Sequence, residues 1–477
     1  MHRCAAFLIF LGLMTVVGQN LLVAQALQDR TNPQQLAATR NAVLAGNLPP
    51  SDTWPQPTPP PPSTPDAPVP FTDGTNLLIS LGGGVQVNGQ DFWNQYLFNP
   101  GVDNSLLRFT LHGEVAGQWG FLMHADVYDD STGFLNTTLI LPNDTSVVPA
   151  EHHWLTESWL WFEPKPFEIQ IGRGPVHIGP MDNSLILSDS IPFMDMIRSS
   201  VSGGHWRWDW IIATPETRLD GGNTPVEFTL VYNLHRVEYR EDTWQFDVSE
   251  YNLVVPPLVL ADFFPVTSTH QTDMAPNHNA LVLGGQWVPA PGYRVMGQYG
   301  LNALDSRIFG IPNNPVPTIW AFILGTEWQT EAADDPLRLY AEVGMTHYLW
   351  GNYGDPEMQA IYYQVLDGYT ASMPLTSPYG PGTAWVNVSA RWTHGPVSLE
   401  TKLEVFDTQT DVSFSTPYVY NWALEGLGPS AAERLSVKVR WTLAPDWALS
   451  FQPAQMYNDG QVSAQARLSL DWGSGKQ

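Results

Sequence analysis

The stretch IQIGRGPVHIGPMDNSLILSDSIPFMDMIR (169–198) holds the densest set of side chains able to do directed chemistry. Arg173 and Arg198 carry planar guanidiniums, which fork onto sugar hydroxyls or carboxylates when they face a lumen. Asp182, Asp189 and Asp195 stand close by in the chain as alternative partners for them. Asn183, Ser184 and Ser188 add neutral hydrogen-bonding groups and complete the candidate ligand set. Gly172, Gly174, Gly179 and Pro180 break the alternation that leads up to them. This predicts a strand end, a glycine-shaped turn and a segment that folds inward or caps a lumen. The same glycines and serines are also what a loop plugging a barrel needs for its shape alone.

Other clusters carry less. Glu151-His152-His153 invites a metal, but neighbouring side chains on a strand point to opposite faces and no third ligand is indicated. Gly82-Gly83-Gly84 is followed by no helix, so it reads as a bend in a strand and not as a phosphate loop. Ser and His are plentiful, yet no nucleophile elbow is present. No enzyme, metal or cofactor is expected. A formal charge of −26 disfavours nucleic acid and strongly anionic partners. Cys4 is the only cysteine, which excludes a disulfide framework and a thiolate site in a chain cleaved after it.

The elements that must position these residues begin with a leader. Residues 1–26 have a basic start, the apolar run CAAFLIFLGLMTVV (4–17) and Ala24-Gln25-Ala26 before a cleavage point. Residues 27–48 hold one short helix, capped by Thr31 or Asn32 and ended at Gly46. The linker 49–72 includes eleven prolines between 49 and 70 and stays extended. It is expected on the periplasmic side, outside the barrel.

Residues 73–477 show period-two alternation. In VSLETKLEV (397–405), Val397, Leu399, Leu403 and Val405 share one face, while Glu400, Lys402 and Glu404 share the other. RLSVKVRW (434–441) repeats this, with Val437 opposite Lys438. Further strands read from 78–87, 108–128 (two strands), 158–163, 167–172, 206–212 and 226–234. The series continues with 293–300, 320–328, 337–348, 386–392, 447–454 and 462–472. Tight connections such as 164–166, 289–292, 393–396 and 443–446 alternate with long ones such as 129–151, 305–318, 351–383 and 407–432. Segregated loop lengths and charges opposite apolar faces fit a transmembrane antiparallel β-barrel, apolar outside and polar inside. Pairing every strand satisfies the backbone in lipid. About 400 residues at roughly 22 per strand and connection give about 18 strands, with 16 as the other even solution. Trp and Tyr near strand ends would form the interfacial girdles.

The spacing GR-x5-GP-x3-SLILS resembles the Wzi family of outer-membrane capsule-assembly proteins. Gly172, Arg173, Gly179, Pro180 and Ser184 to Ser188 carry it. Ile178 stands where that family often has Trp, and the Pro-rich linker replaces most of its helical N-terminal part. The resemblance implies an outer-membrane barrel in a Gram-negative-type cell, acting as a lectin for capsular polysaccharide. A diffusion porin for small solutes is the second reading, and a membrane-embedded hydrolase the third. The expected partners are outer-membrane lipid and extracellular polysaccharide. The acidic charge favours a neutral or weakly acidic glycan, or binding through divalent cations.

Overall fold

A computed structural model describes residues 74–86, 105–115, 119–128, 155–164, 166–174, 176–187, 194–217, 231–254, 278–303, 318–332, 335–351, 360–366, 369–376, 379–408, 431–444, 447–458 and 461–473. The leader, the N-terminal helix, the Pro-rich linker, Glu151-His152-His153 and Ser188 lie outside the described residues, which contain no helix.

Twenty-one strands are present among the described residues. The first group is β1 (Gly74–Gln86), β2 (Ser105–Val115), β3 (Trp119–Tyr128), β4 (Leu155–Phe162), β5 (Phe167–Gly174), β6 (Met194–Gly203) and β7 (Trp206–Thr214). It is followed by β8 (Glu216–Thr217), β9 (Val231–Arg240), β10 (Trp244–Val254), β11 (His278–Ala290), β12 (Tyr293–Ala303), β13 (Ile319–Ala332) and β14 (Asp335–Thr346). The last group is β15 (Ile361–Leu366), β16 (Tyr369–Pro374), β17 (Thr383–His394), β18 (Val397–Thr408), β19 (Ala431–Ala444), β20 (Trp447–Asn458) and β21 (Gln461–Gly473). Eighteen form one antiparallel sheet, and β1 pairs with both β2 and β21. β8, β15 and β16 form a separate three-stranded sheet, with β8 parallel to β15. The hairpin β15–β16 corrects the expectation of a plain loop over 351–383.

Connections alternate in length. Connections of two to four residues at 163–166, 204–205, 241–243, 291–292, 333–334 and 395–396 join strands at one end, and longer ones join them at the other, except the two residues between β20 and β21. The two faces follow from the alternation. In β7 the burial alternates along WRWDWIIAT, with Arg207, Asp209, Ile211 and Ala213 buried. In β18 Leu403 is exposed while its neighbour Glu404 is buried. The buried face is the interior, because residues on it from β9, β12, β14 and β18 all reach the one segment 176–187, as described below.

The outer face carries Leu160, Ile171, Ile197, Phe246, Leu283, Leu324, Leu403, Leu435 and Phe451, all exposed. At the short-turn rim Trp206, Trp244, Trp287, Trp441 and Trp447 are exposed as well. The Tyr239 ring meets Trp206 edge-on at 4.7 Å and Trp244 at 5.2 Å. An apolar band edged by amphipathic rings is how a barrel wall matches hydrocarbon and its interface. Leu403 and Val437 take the outward side and Lys402 the inward one, as their alternation requires.

The interior departs from expectation. It is not lined by polar groups alone. Val176, Ile178, Met181, Leu185, Ile186 and Leu187 join Met194, Met196, Ile211, Leu234, Leu253, Val282 and Ile323 in one apolar core inside the barrel. Burying a side chain of this size contributes about 1.5–3 kcal/mol.

Candidate functional site

Segment 176–187, between β5 and β6, folds into the lumen and is fastened to walls that are distant in sequence. Its own turn is closed by Ile178 N donating to Leu187 O (3.0 Å) and Ser184 Oγ donating to Ile178 O (2.5 Å). Ser184 Oγ also accepts from Ile186 N at 3.0 Å. On β12, Gln298 accepts from Leu185 N (2.8 Å) and donates to Ile178 O (3.2 Å). On β9, the Tyr232 hydroxyl donates to Ile186 O at 3.1 Å. Gly179 sits at φ 141, and a Cβ there would fall 2.6 Å from Gln298 Nε2. The positive φ is what calls for glycine here. Pro180 beside it is buried.

Glu342 on β14 is the main anchor. It accepts from Asn183 N (3.1 Å), Asn183 Nδ2 (2.5 Å), the Tyr340 hydroxyl (2.6 Å) and Trp385 Nε1 (2.8 Å). The Tyr340 hydroxyl in turn accepts from Asp182 N at 2.8 Å. With Asn387 Nδ2 at 3.5 Å, five donors on one buried carboxylate compensate its desolvation. Lys402 connects this hub to the next, with Nζ 3.9 Å from Asp182 and 3.2 Å from Glu404. Arg434 binds Glu404 from β19. Tyr379, on the turn before β17, donates to Glu404 Oε1 at 2.8 Å. Burial and the Glu404 carboxylate push its phenol well above the ordinary tyrosine range, which keeps it a donor.

Nearer the short turns lies a second interior layer, and it is ionic. Arg207 binds Asp209 (2.9 Å) and Glu168 (3.2 Å), and Arg236 binds Glu238 (3.1 Å) and Asp247 (3.2 Å). Arg240 reaches Glu238 at 3.0 Å and Gln245 at 2.8 Å. Gln245 and Gln286 carry the chain to Arg294, which binds Glu327 at 2.5 Å, and Arg338 binds Glu327 at 2.9 Å. The belt is continuous from β5 to β14. Its six arginines (Arg198, Arg207, Arg236, Arg240, Arg294, Arg338) face five carboxylates, Glu168, Asp209, Glu238, Asp247 and Glu327. That near-balance of charge is why such groups tolerate burial.

The sequence candidates are dispersed between these layers. Asn183 and Ser184 sit together in the plug, their polar atoms committed to Glu342 and to the plug backbone. Arg198 faces inward at 6% exposure, 3.8 Å from Asp209. Arg173 faces outward, a correction to its reading as a lumen-facing group. Gly172 takes the inward position, where a Cβ would lie 1.9 Å from Ser158 O. The next residue therefore projects from the outer wall, where Arg173 Nε and Nη2 donate to Asp195 at 2.7 and 2.8 Å. Glu342 and Glu404, the hubs of the plug, were not singled out in the sequence. Their signal is a lone carboxylate among apolar neighbours, in AEVGM and KLEVF.

No protein-family model matches the chain, and no curated protein sequence does. Among solved structures, Escherichia coli Wzi is similar with a TM-score of 0.54 and 12% identity, covering 84% of each chain. It is described as an outer-membrane protein involved in group 1 capsule assembly and as a carbohydrate-binding β-barrel. Pseudomonas aeruginosa OccK5 (OpdH) aligns at a TM-score of 0.44 and 9% identity, over 84% of this chain and 97% of its own. Acinetobacter baumannii OccAB4 aligns at 0.47 and 9%, over 86% and 100%. The likeness is one of fold: an all-β barrel of the outer-membrane type.

Proposed function

We propose that this chain is an outer-membrane barrel lectin that holds an extracellular polysaccharide at the cell surface, and that it is a binder without enzymatic activity. The observation that carries the reading is the plug. Segment 176–187 occupies the lumen with Leu185, Ile186 and Leu187 fully buried. A diffusion porin keeps an aqueous path through its lumen, and an apolar core across that path works against it. The fold shared with a carbohydrate-binding barrel supports the same reading. In it Asn183, Ser184 and Arg198 hold the interior in shape, and the glycan is engaged at the long-loop end.

The charge at that end shapes the ligand class. Arg218 and Arg307 are the only basic residues in the long connections, whereas each of these connections carries Asp or Glu. A polyanion would be repelled there unless divalent cations bridge it. The ligand is therefore a neutral or weakly acidic glycan, or one bound through calcium or magnesium.

Two measurements test this. Cells lacking the protein should shift polysaccharide from the cell-bound to the released fraction. The purified protein should give no open-channel conductance in planar bilayers, and replacing 176–187 by a Gly/Ser linker should create it. Steady conductance of the wild type, with unchanged polysaccharide retention in the deletion strain, would make the chain a porin.

A further inference from the structure

The ionic belt ends at Arg338, and the inner wall beyond it is charged as well. Strand register sets Gln329, Arg338, Arg391, Glu400 and Lys438 in one row across β13, β14, β17, β18 and β19. All five take inward positions, in step with Glu327, Glu342, Asn387, Glu404 and Arg434 on the same strands. The row runs one inward position below Lys402, which touches the plug at Asp182. Arg391 and Glu400 stand three residues inside the ends of β17 and β18, about 10 Å along the strand from the turn. The row therefore lies beneath the plug and faces the short-turn mouth.

The two arcs of the interior differ in charge. From β5 to β10 the belt matches Arg198, Arg207, Arg236 and Arg240 with Glu168, Asp209, Glu238 and Asp247. From β12 to β19, Arg294, Arg338, Arg391 and Lys438 face Glu327 and Glu400, an excess of two positive charges. One row nearer the turns, Glu331 and Arg440 add one charge of each sign. Arg338 and Arg391 are directly opposed on adjacent strands, an arrangement that like charges disfavour. Glu327 holds Arg338 at 2.9 Å. Arg391 is exposed into the lumen, and neither it, Glu400 nor Lys438 makes an ion pair or hydrogen bond with a described residue. At the end of the row Gln329 is 5% exposed, and its Nε2 is buried without an acceptor. A buried donor left unmade is costly, and an acceptor arriving from the lumen satisfies it.

We propose that the lumen beneath the plug is a binding site for a phosphate group, entered from the short-turn mouth. Arg391 supplies a guanidinium fork, whose geometry fits two phosphate oxygens. Arg338, already oriented by Glu327, supplies the second positive charge, and Gln329 Nε2 donates to a further oxygen. Lys438 reaches in from the far side of Glu400 on its long stem. Charge selects the ligand. A phosphate monoester carries about −1.5 to −2 at pH 7, which matches the excess of two, whereas a single carboxylate meets half of it. Glu400 opposes the anion and limits its affinity. In a chain of net charge −26 the attraction is local, and it falls as salt rises. The site uses the inner wall and is independent of the polysaccharide reading.

The test is direct binding. Full-length protein in detergent is titrated calorimetrically, at low ionic strength, with inorganic phosphate, glucose 1-phosphate and acetate. Both phosphates should bind saturably, and acetate about tenfold more weakly, the effect of one hydrogen bond to a charged group. Tighter binding of the sugar phosphate than of the inorganic ion supports the site with a phosphorylated sugar as its occupant, and equal binding supports it with the free ion. Arg391→Gln should weaken phosphate about tenfold. Glu400→Gln should strengthen it, a gain that a purely structural role for the row does not give. Both variants should keep heat-modifiable gel mobility. Arg173→Gln removes the same charge from the outer wall and should leave binding unchanged. Absence of saturable phosphate binding, acetate bound as tightly as phosphate, or equal losses in Arg391→Gln and Arg173→Gln would overturn the proposal.

Discussion

The barrel interior has two levels that solve one problem differently. Near the short turns, arginines and carboxylates on adjacent strands neutralise one another along the wall, from Glu168 to Arg338. At the level of the plug, the partners come from opposite walls and meet a single chain segment, through backbone groups and neutral side chains converging on Glu342. Cross-strand neighbours lie only about 5 Å apart, which a charged pair bridges easily. Spanning a lumen takes chain, and chain brings backbone groups that need partners and apolar residues that need a core. The belt stiffens the wall, and the plug fills the lumen.

Breaking one belt charge should have the largest effect. Arg236→Ala leaves Glu238 and Asp247 without their shared cation, and removal of one partner of a buried pair costs about 3–5 kcal/mol. The loss is readable as a lower denaturant midpoint in band-shift gels. Leu185→Ala attacks the plug instead and should cost about 2–5 kcal/mol by leaving a cavity. Its signature is different: intermittent conductance in bilayers, which Arg236→Ala should not show. Equal conductance from both variants would erase the division between the levels.

The outer wall provides the contrast to both. Val437→Arg near mid-bilayer should cost about 2–4 kcal/mol, whereas Lys438→Ser, on the aqueous side of the alternation, should be nearly silent. Equal effects on heat-modifiable mobility would reverse the assignment of faces. The smallest effect is local to His347, just past β14. Its Nδ1 accepts from Leu349 N at 3.2 Å, and burial lowers its affinity for a proton. The folded state therefore resists protonation, and its advantage is present above the unfolded value of about 6.5 and declines as pH falls through it. Faster amide exchange at Leu349 below that pH, absent in His347→Gln, is the expected result.

Much of this was legible in the sequence because lipid and water impose period two. Fifteen of the eighteen wall strands were read from alternation, and the strand total followed from length. The missed strands have physical reasons or none. In β6 the inward residues are Met194 and Met196 and an outward one is Asp195, so the plug core and the outer Arg173–Asp195 pair invert the usual pattern. In β11, Gly284 and Gly285 interrupt the apolar run. β10 alternates plainly over WQFDVS, so its strand is encoded by the same rule as the others. The site was harder to read. An inward-folding segment was expected from its glycines, but which wall residues would hold it depends on strand register across the lumen, and no local spacing encodes that. Arg173 shows the opposite at single-residue scale: the alternation through Phe167, Ile169 and Ile171 already carries it to the outer face.

The polar belt also makes the barrel mechanically uneven. It ties β5 to β14, and the Glu342 and Glu404 hubs extend the fastening to β17, β18 and β19. β20, WALSFQPAQMYN, carries no charged residue, so it is joined to β19 and β21 without an ion pair. Stress applied to the wall therefore concentrates at that strand. Under force or heat the cylinder should open as a hinged shell, with the plugged arc moving as one rigid plate and the wall parting at β20.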